Sequence, residues 1–180
     1  KIGLRKVRDN ISIIPQDAVL FAGSVRYNLD PGNTHTDADI WSCLKEVNLV
    51  ELIQNLDNGK GLESEIKEGG SNISHGQRQL LTIARAILRK NKILLIDEAT
   101  SSIDSATDQL IQATLRSDRF KGMVLLVIAH RLGTIMDSDK IAYLDNGYCT
   151  EFGSVNSLLK IKDGGFASLV DSMKKEEKKS

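Results

Sequence analysis

Three side chains in this 180-residue sequence stand where hydrolytic chemistry would need them. Asp97 and Glu98 follow the apolar run Ile93-Leu94-Leu95-Ile96, and His130 follows Val124-Leu125-Leu126-Val127-Ile128-Ala129. Continuous apolar runs of strand length predict strands buried on both faces of a parallel sheet. Open α/β sheets bind ligands beyond the carboxyl ends of such strands. A carboxylate at that edge can hold a hydrated Mg²⁺, which takes few protein ligands. A second carboxylate can orient or deprotonate a water, and a histidine can bond a phosphoryl oxygen as charge develops on it. The competing account is structural: an acidic pair at a helix N-terminus and an isolated structural histidine.

A second candidate is the stretch EGGSNISHGQRQLL, residues 68–81. Ser74 followed three residues later by Gln77 matches a capping box. Glycines at 69, 70 and 76 permit a close approach of backbone to a docked group. The unpaired N–H groups of a helix start favour an anion, phosphate above all. A plain capped helix in a surface turn explains the same pattern, and taken alone the pattern favours it.

The elements that must position these residues are legible in outline. Residues 11–14, Ile-Ser-Ile-Ile, read as a strand that stops at Pro15, and residues 17–35 read as loop, broken at Asp30-Pro31-Gly32-Asn33. Ile40, Leu44 and Val47 recur at helical spacing from Asp37, and Leu49, Leu52, Ile53 and Leu56 continue after a break. Residues 58–61 read as a turn, and a helix is expected over about 77–89. Strand 93–96, a helix over 105–117 and strand 124–129 form a βαβ unit. A helix near 132–136 precedes strands at 141–144 and 148–152, joined by Asp145-Asn146-Gly147, a hairpin signal. The lysine- and glutamate-rich end, 174–179, reads as a solvated tail. The expected organisation is a domain over 1–170, with a helical part at about 37–90 and an α/β core at about 91–160, then a charged tail over 171–180.

Bulk properties narrow the class. With 24 basic and 24 acidic residues the formal net charge is zero, which argues against a dedicated nucleic-acid binder. No stretch approaches the length of a membrane span. Cys43 and Cys149 lack metal-like spacing and read as packed or idle thiols, with a disulfide as the alternative. No G-x-x-x-x-G-K-[ST] phosphate loop occurs in these residues, and the sequence opens in mid-pattern at Lys1 rather than Met.

In this order the pieces resemble the nucleotide-binding domain of an ATP-binding-cassette (ABC) transporter over nearly the whole chain. IIPQD, with Gln16, resembles the Q-loop; NISHGQRQLLTIARAIL resembles the signature motif and its helix; ILLIDEAT resembles the Walker B strand; SSID, with Asp104, resembles the D-loop; IAHRL, with His130, resembles the switch loop. Gln77 precedes Asp97 by twenty positions, as in the family. PQDAVLFAGSVRYNLDP and AHRLGTIMDSDKIAYLDNG narrow the resemblance to the C subfamily, the multidrug-resistance-associated proteins, and to its C-terminal cassette.

The resemblance implies an α/β, P-loop NTPase-like partial domain, cut before the Walker A loop and the adenine-stacking aromatic, with a parallel-sheet core and a helical subdomain. Its cofactors would be ATP and Mg²⁺. Asp97 would be the magnesium-side carboxylate, Glu98 the catalytic base, His130 the switch histidine and Gln16 a further magnesium ligand that couples to membrane helices. Ser74, Gly76 and Gln77 would clamp the ATP held by a second cassette in a head-to-tail dimer, and Asp104 would cross that interface. The implied setting is the cytoplasmic face of a membrane, in a transporter of organic anions, conjugates or drugs, with transmembrane domains as partners and no nucleic acid. The isolated piece would bind ATP poorly. His75 departs from the family's usual Leu-Ser-Gly-Gly-Gln and would crowd the γ-phosphate or add a donor to it. Alternatives are a regulatory cassette of a channel or channel-associated receptor in the same subfamily, a soluble ABC-type ATPase of chromosome upkeep or translation, and an inert gene fragment.

Overall fold

A computed structural model describes residues 3–97, 103–129 and 131–177. The chain forms two compact units that divide after Ile128. The first begins with helix α1 (Leu4–Arg8) and strand β1 (Ile11–Ile14), followed by the short strand β2 (Gly23–Ser24) and helix α2 (Val25–Leu29). Helices α3 (Asp37–Glu46) and α4 (Val50–Asn55) come next, then strand β3 (Glu65–Ile66), which pairs antiparallel with β2. Helix α5 (His75–Arg89), strand β4 (Ile93–Asp97), helix α6 (Ser105–Leu115) and strand β5 (Val124–Ile128) complete the unit.

β1, β4 and β5 form a parallel sheet in that order. Ile11 to Ile14 pair with Ile93 to Ile96, and Ile93 to Asp97 pair with Val124 to Ile128. All three strands therefore end at one edge, as the βαβ pattern requires. Behind the sheet, Ile14, Leu94 and Ile96 join one buried cluster with Leu81 and Ile83 of α5 and Ile111 of α6. α5 is apolar along a stripe wide enough to bury Leu80, Leu81, Ile83, Ala84, Ile87 and Leu88, the signature of a core helix.

Three features differ from the expectations. Residues 17–35 are not all loop: Ser24 caps α2 by accepting from the Tyr27 N–H, and Asn28 ties the stretch together. Its buried amide bonds Phe21 through both N–H and C=O at 2.9 Å and reaches Ser24 O at 3.1 Å. A five-residue helix held by one tertiary amide leaves almost no periodic trace. Second, β5 is not buried on both faces. Val124, Leu126 and Ile128 are 62%, 62% and 64% exposed, because β5 closes the three-stranded sheet and nothing among the described residues covers it. Third, the charged end is helical up to Glu177, though its Lys174, Lys175 and Glu176 are exposed as expected.

The second unit holds helix α7 (Leu132–Met136), the hairpin strands β6 (Ile141–Asp145) and β7 (Tyr148–Gly153), helix α8 (Val155–Leu158) and helix α9 (Gly165–Glu177). Asn146 and Gly147 both take positive φ, 47° and 83°, as a tight type I′ connection demands. Ile135, Val155, Leu158, Phe166 and Val170 form this unit's own core. The Glu151 carboxylate accepts from the N–H groups of Gly165 and Phe166 at 2.6 and 3.4 Å, which fixes the start of α9. Cys43 is buried and Cys149 exposed, and both are free thiols.

Candidate functional site

Asp97 is the last residue of β4 and is exposed at the carboxyl edge. Gln16 lies two residues beyond the end of β1 and is exposed too. Because Ile14 pairs with Ile96, the register brings the chain leaving β1 alongside Asp97. A carboxylate and an amide oxygen at one strand edge are the hard oxygen donors Mg²⁺ prefers, with room for retained waters. Among the described residues no group of three His, Cys, Asp or Glu side chains forms a ready-made metal cage. Glu98 and His130 lie outside the described residues.

The second cluster is the start of α5. Ser74 takes extended backbone, φ −68° and ψ 162°, and its hydroxyl accepts from the Gln77 N–H at 3.2 Å. The Gln77 side chain returns a bond from the Ser74 N–H to Oε1 at 2.8 Å, so the expected capping box is complete. The first intrahelical bond is Arg78 N–H to Ser74 O at 3.0 Å. Among the described residues no acceptor is assigned to the N–H groups of His75 and Gly76. The Ser74 hydroxyl proton and the Gln77 amide N–H₂ are likewise uncommitted there. That is a set of donors at the positive end of a 15-residue helix, which suits a phosphate.

The loop leading in is built by specific contacts. Asn72 accepts from the Lys67 N–H at 3.0 Å and donates to Glu65 O at 2.8 Å. Gly70 has φ +71°, and a Cβ there would stand 2.6 Å from Arg78 Cδ. The Arg78 guanidinium in turn donates to Ile73 O at 3.0 Å and Gly70 O at 3.4 Å. Gly76 has an ordinary helical φ, but a Cβ on it would lie 2.6 Å from Thr107 Cγ2. Two of the three glycines are thus demanded by the protein's own packing, and only Gly69 has open space around its Cβ position.

Thr107 links this edge to the next motif. Asp104 is the N-cap of α6 and accepts from the Thr107 N–H at 2.9 Å. Bonds from the Thr107 backbone and side chain hold the Asp104 carboxyl below its ordinary pKa. Spacing alone gave no sign that Thr107 packs on Gly76; the contact joins residues 31 apart in sequence, and only the crossing of α5 with α6 creates it.

A fourth group, missed in the sequence, ties α5 to the chain that follows β1. Gln79 donates to Pro15 O at 3.2 Å and Gln16 O at 2.5 Å. Arg85 donates through Nε to Asn28 O at 2.8 Å and through its terminal nitrogen to Val19 O at 3.3 Å. Burial, reinforced by the nearby Arg89 charge, pushes the Arg85 pKa down. The visible signal was the presence of polar residues on the apolar side of α5.

Comparison with known proteins identifies the family. A family model described as ABC transporter matches residues 2–101. The probable multidrug resistance-associated protein lethal(2)03659 of Drosophila melanogaster is 53% identical over 163 residues, 91% of this chain and 12% of that protein. Human ATP-binding cassette sub-family C member 4 is 51% identical over 177 residues, 98% of this chain and 13% of that protein. The chain therefore spans about an eighth of the length of these curated relatives. A bacterial Atm1-family ABC exporter solved with ATP bound superposes with a TM-score of 0.81 at 36% identity, over 93% of this chain and 29% of that one. The chain belongs to the ABC transporter family, with its resemblance to the C subfamily running through nearly all of its length.

Proposed function

We propose that this chain is part of the C-terminal nucleotide-binding cassette of an exporter that couples ATP binding and hydrolysis to the movement of organic anions, conjugates or drugs across a membrane. The observation that carries the reading is the pairing of two incomplete clusters on one scaffold. Gln16 and Asp97 lie at the sheet edge, and the donor-rich start of α5 lies at the other end of the Gln79 tie. The likeness to an exporter solved with ATP supports it. Among the described residues no helix is long and apolar enough to cross a membrane, so the translocation path would be formed by other segments or chains.

In this mechanism Asp97 and Gln16 would hold the nucleotide's magnesium from the strand edge. Mg²⁺, when bound, neutralises phosphate charge and polarises the transferring group. Glu98 orients the attacking water and takes its proton, and His130 donates to the phosphoryl oxygen that gains charge. Ser74, Gly76 and Gln77 grip the nucleotide of the second cassette through hydroxyl, backbone and amide donors. Asp104 sits beside that interface as the cap of α6. Binding closes the two cassettes head to tail, and hydrolysis reopens them, a shift between two arrangements. The Gln16 segment passes the movement to the transmembrane partners, and the site works at the cytoplasmic face. The 180 residues by themselves bind ATP weakly, because they contain no phosphate loop.

The test is Glu98→Gln in the full-length protein, assayed for ATP hydrolysis and for ATP-driven uptake in inverted membrane vesicles. Loss of both with retained ATP binding is expected. Unchanged turnover would refute the assignment.

A further inference from the structure

Gln79 is fully buried on α5, about 7–8 Å along the helix axis from the Ser74 cap at the usual rise per residue. Its amide nitrogen donates to the carbonyl oxygens of Pro15 and Gln16, 64 and 63 residues away in sequence. Both neighbours are acceptors, which fixes the amide's orientation. Its own oxygen, Oε1, is buried without a hydrogen-bond partner among the described residues. An unpartnered buried acceptor is destabilising, and a leucine or methionine of the same size would avoid it. Core stability alone therefore does not account for a glutamine here. What the amide does that an apolar side chain cannot is grip the backbone where the chain turns away from β1.

We propose that Gln79 is a positioning residue whose buried amide couples the backbone at Gln16 to the start of α5, so that displacement of the Gln16 segment is passed to Ser74, His75 and Gly76. Two donors on two successive carbonyls resist both sliding and rotation of that segment against the helix. Arg85, about one and two-thirds turns further on, holds Val19 and Asn28 in the same way. The inference rests on the nucleotide reading above and adds a route between its two clusters.

Amide hydrogen exchange in the full-length protein, with and without Mg-ATP, tests it. In the unsubstituted protein Mg-ATP is expected to change protection at 16–21 and at 73–77 together. With Gln79→Leu the change at one segment should persist, while the change at the other falls by at least about fivefold, because two hydrogen bonds are lost. Gln79→Glu provides a second arm. Its carboxylate repels the two carbonyls at neutral pH, whereas its protonated form can donate again, so coupling should return on acidification relative to the unsubstituted protein. A merely structural role would lower the melting temperature and leave the two segments responding together in both variants, which would overturn the proposal. If Mg-ATP altered neither segment in the unsubstituted protein, the nucleotide reading would fall and this inference with it.

Discussion

Replacing Gly76 by alanine separates two reasons for a glycine in the signature stretch. The added Cβ would lie 2.6 Å from Thr107 Cγ2 and 3.3 Å from Thr107 Cβ and Oγ1. Carbon atoms in good contact stand about 3.5–4.0 Å apart, so the shortfall is about 1 Å and α5 or α6 must shift. Overpacking of this kind costs about 1–3 kcal/mol. Alanine returns at most about 1 kcal/mol through better helix propensity. The net expectation is a loss of about 1 kcal/mol, or about 2–4 °C in melting temperature for a domain of this size. Thr107→Ser removes the offending methyl and leaves the hydroxyl at 3.3 Å, so the double variant should recover most of that loss. The assay is a double-mutant cycle on unfolding midpoint, run in parallel with ATP turnover in the full-length protein. Additive losses would refute the packing argument. Recovered stability without recovered turnover would show that Gly76 acts at the bound phosphate apart from its packing on Thr107.

Further outcomes follow from the same geometry. Ser74→Ala removes the acceptor of the Gln77 N–H and should cost about 1 kcal/mol in unfolding experiments. Ser74→Asp should keep that stability while abolishing nucleotide-driven dimer closure, because it sets a second negative charge against phosphate, as size-exclusion of ATP-bound cassettes would reveal. Asp30 is buried, which opposes its ionisation. Bonds from the His35 N–H at 2.7 Å and from Thr34 at 3.1 Å outweigh that burial and hold its pKa below the ordinary 3.8. Its stabilising contribution is thus complete above pH 3.8 and fades as pH falls through the lowered value. Melting curves between pH 3 and 7 should show the gap between Asp30→Asn and the parent narrowing toward the acid end.

The parts legible in sequence were those whose burial leaves a period. α5 and the strands at 93–97 and 124–128 carry enough consecutive apolar residues to declare type and place, and Ser74 with Gln77 declared the cap. α2 and the β2–β3 pair were missed because five- and two-residue elements are fixed by Asn28 and by each other, not by local preference. α9 was readable in principle: Phe166, Val170 and Met173 recur at helical spacing, but the lysines drew the eye to charge. The openness of β5 was not legible, since an apolar run looks the same whether its neighbours are present or not. Nor were the ties through Gln79 and Thr107, because they depend on how helices cross rather than on any motif.

The open strand has a practical meaning for handling the protein. Among the described residues Val124, Leu126 and Ile128 lie on a strand at the sheet border, without the charges, proline or bulge with which natural borders discourage unwanted pairing. A five-residue segment of this composition, offered to water at high concentration, is a template for strand addition by another copy. Covering that strand is therefore expected to raise the solubility of a preparation of these residues.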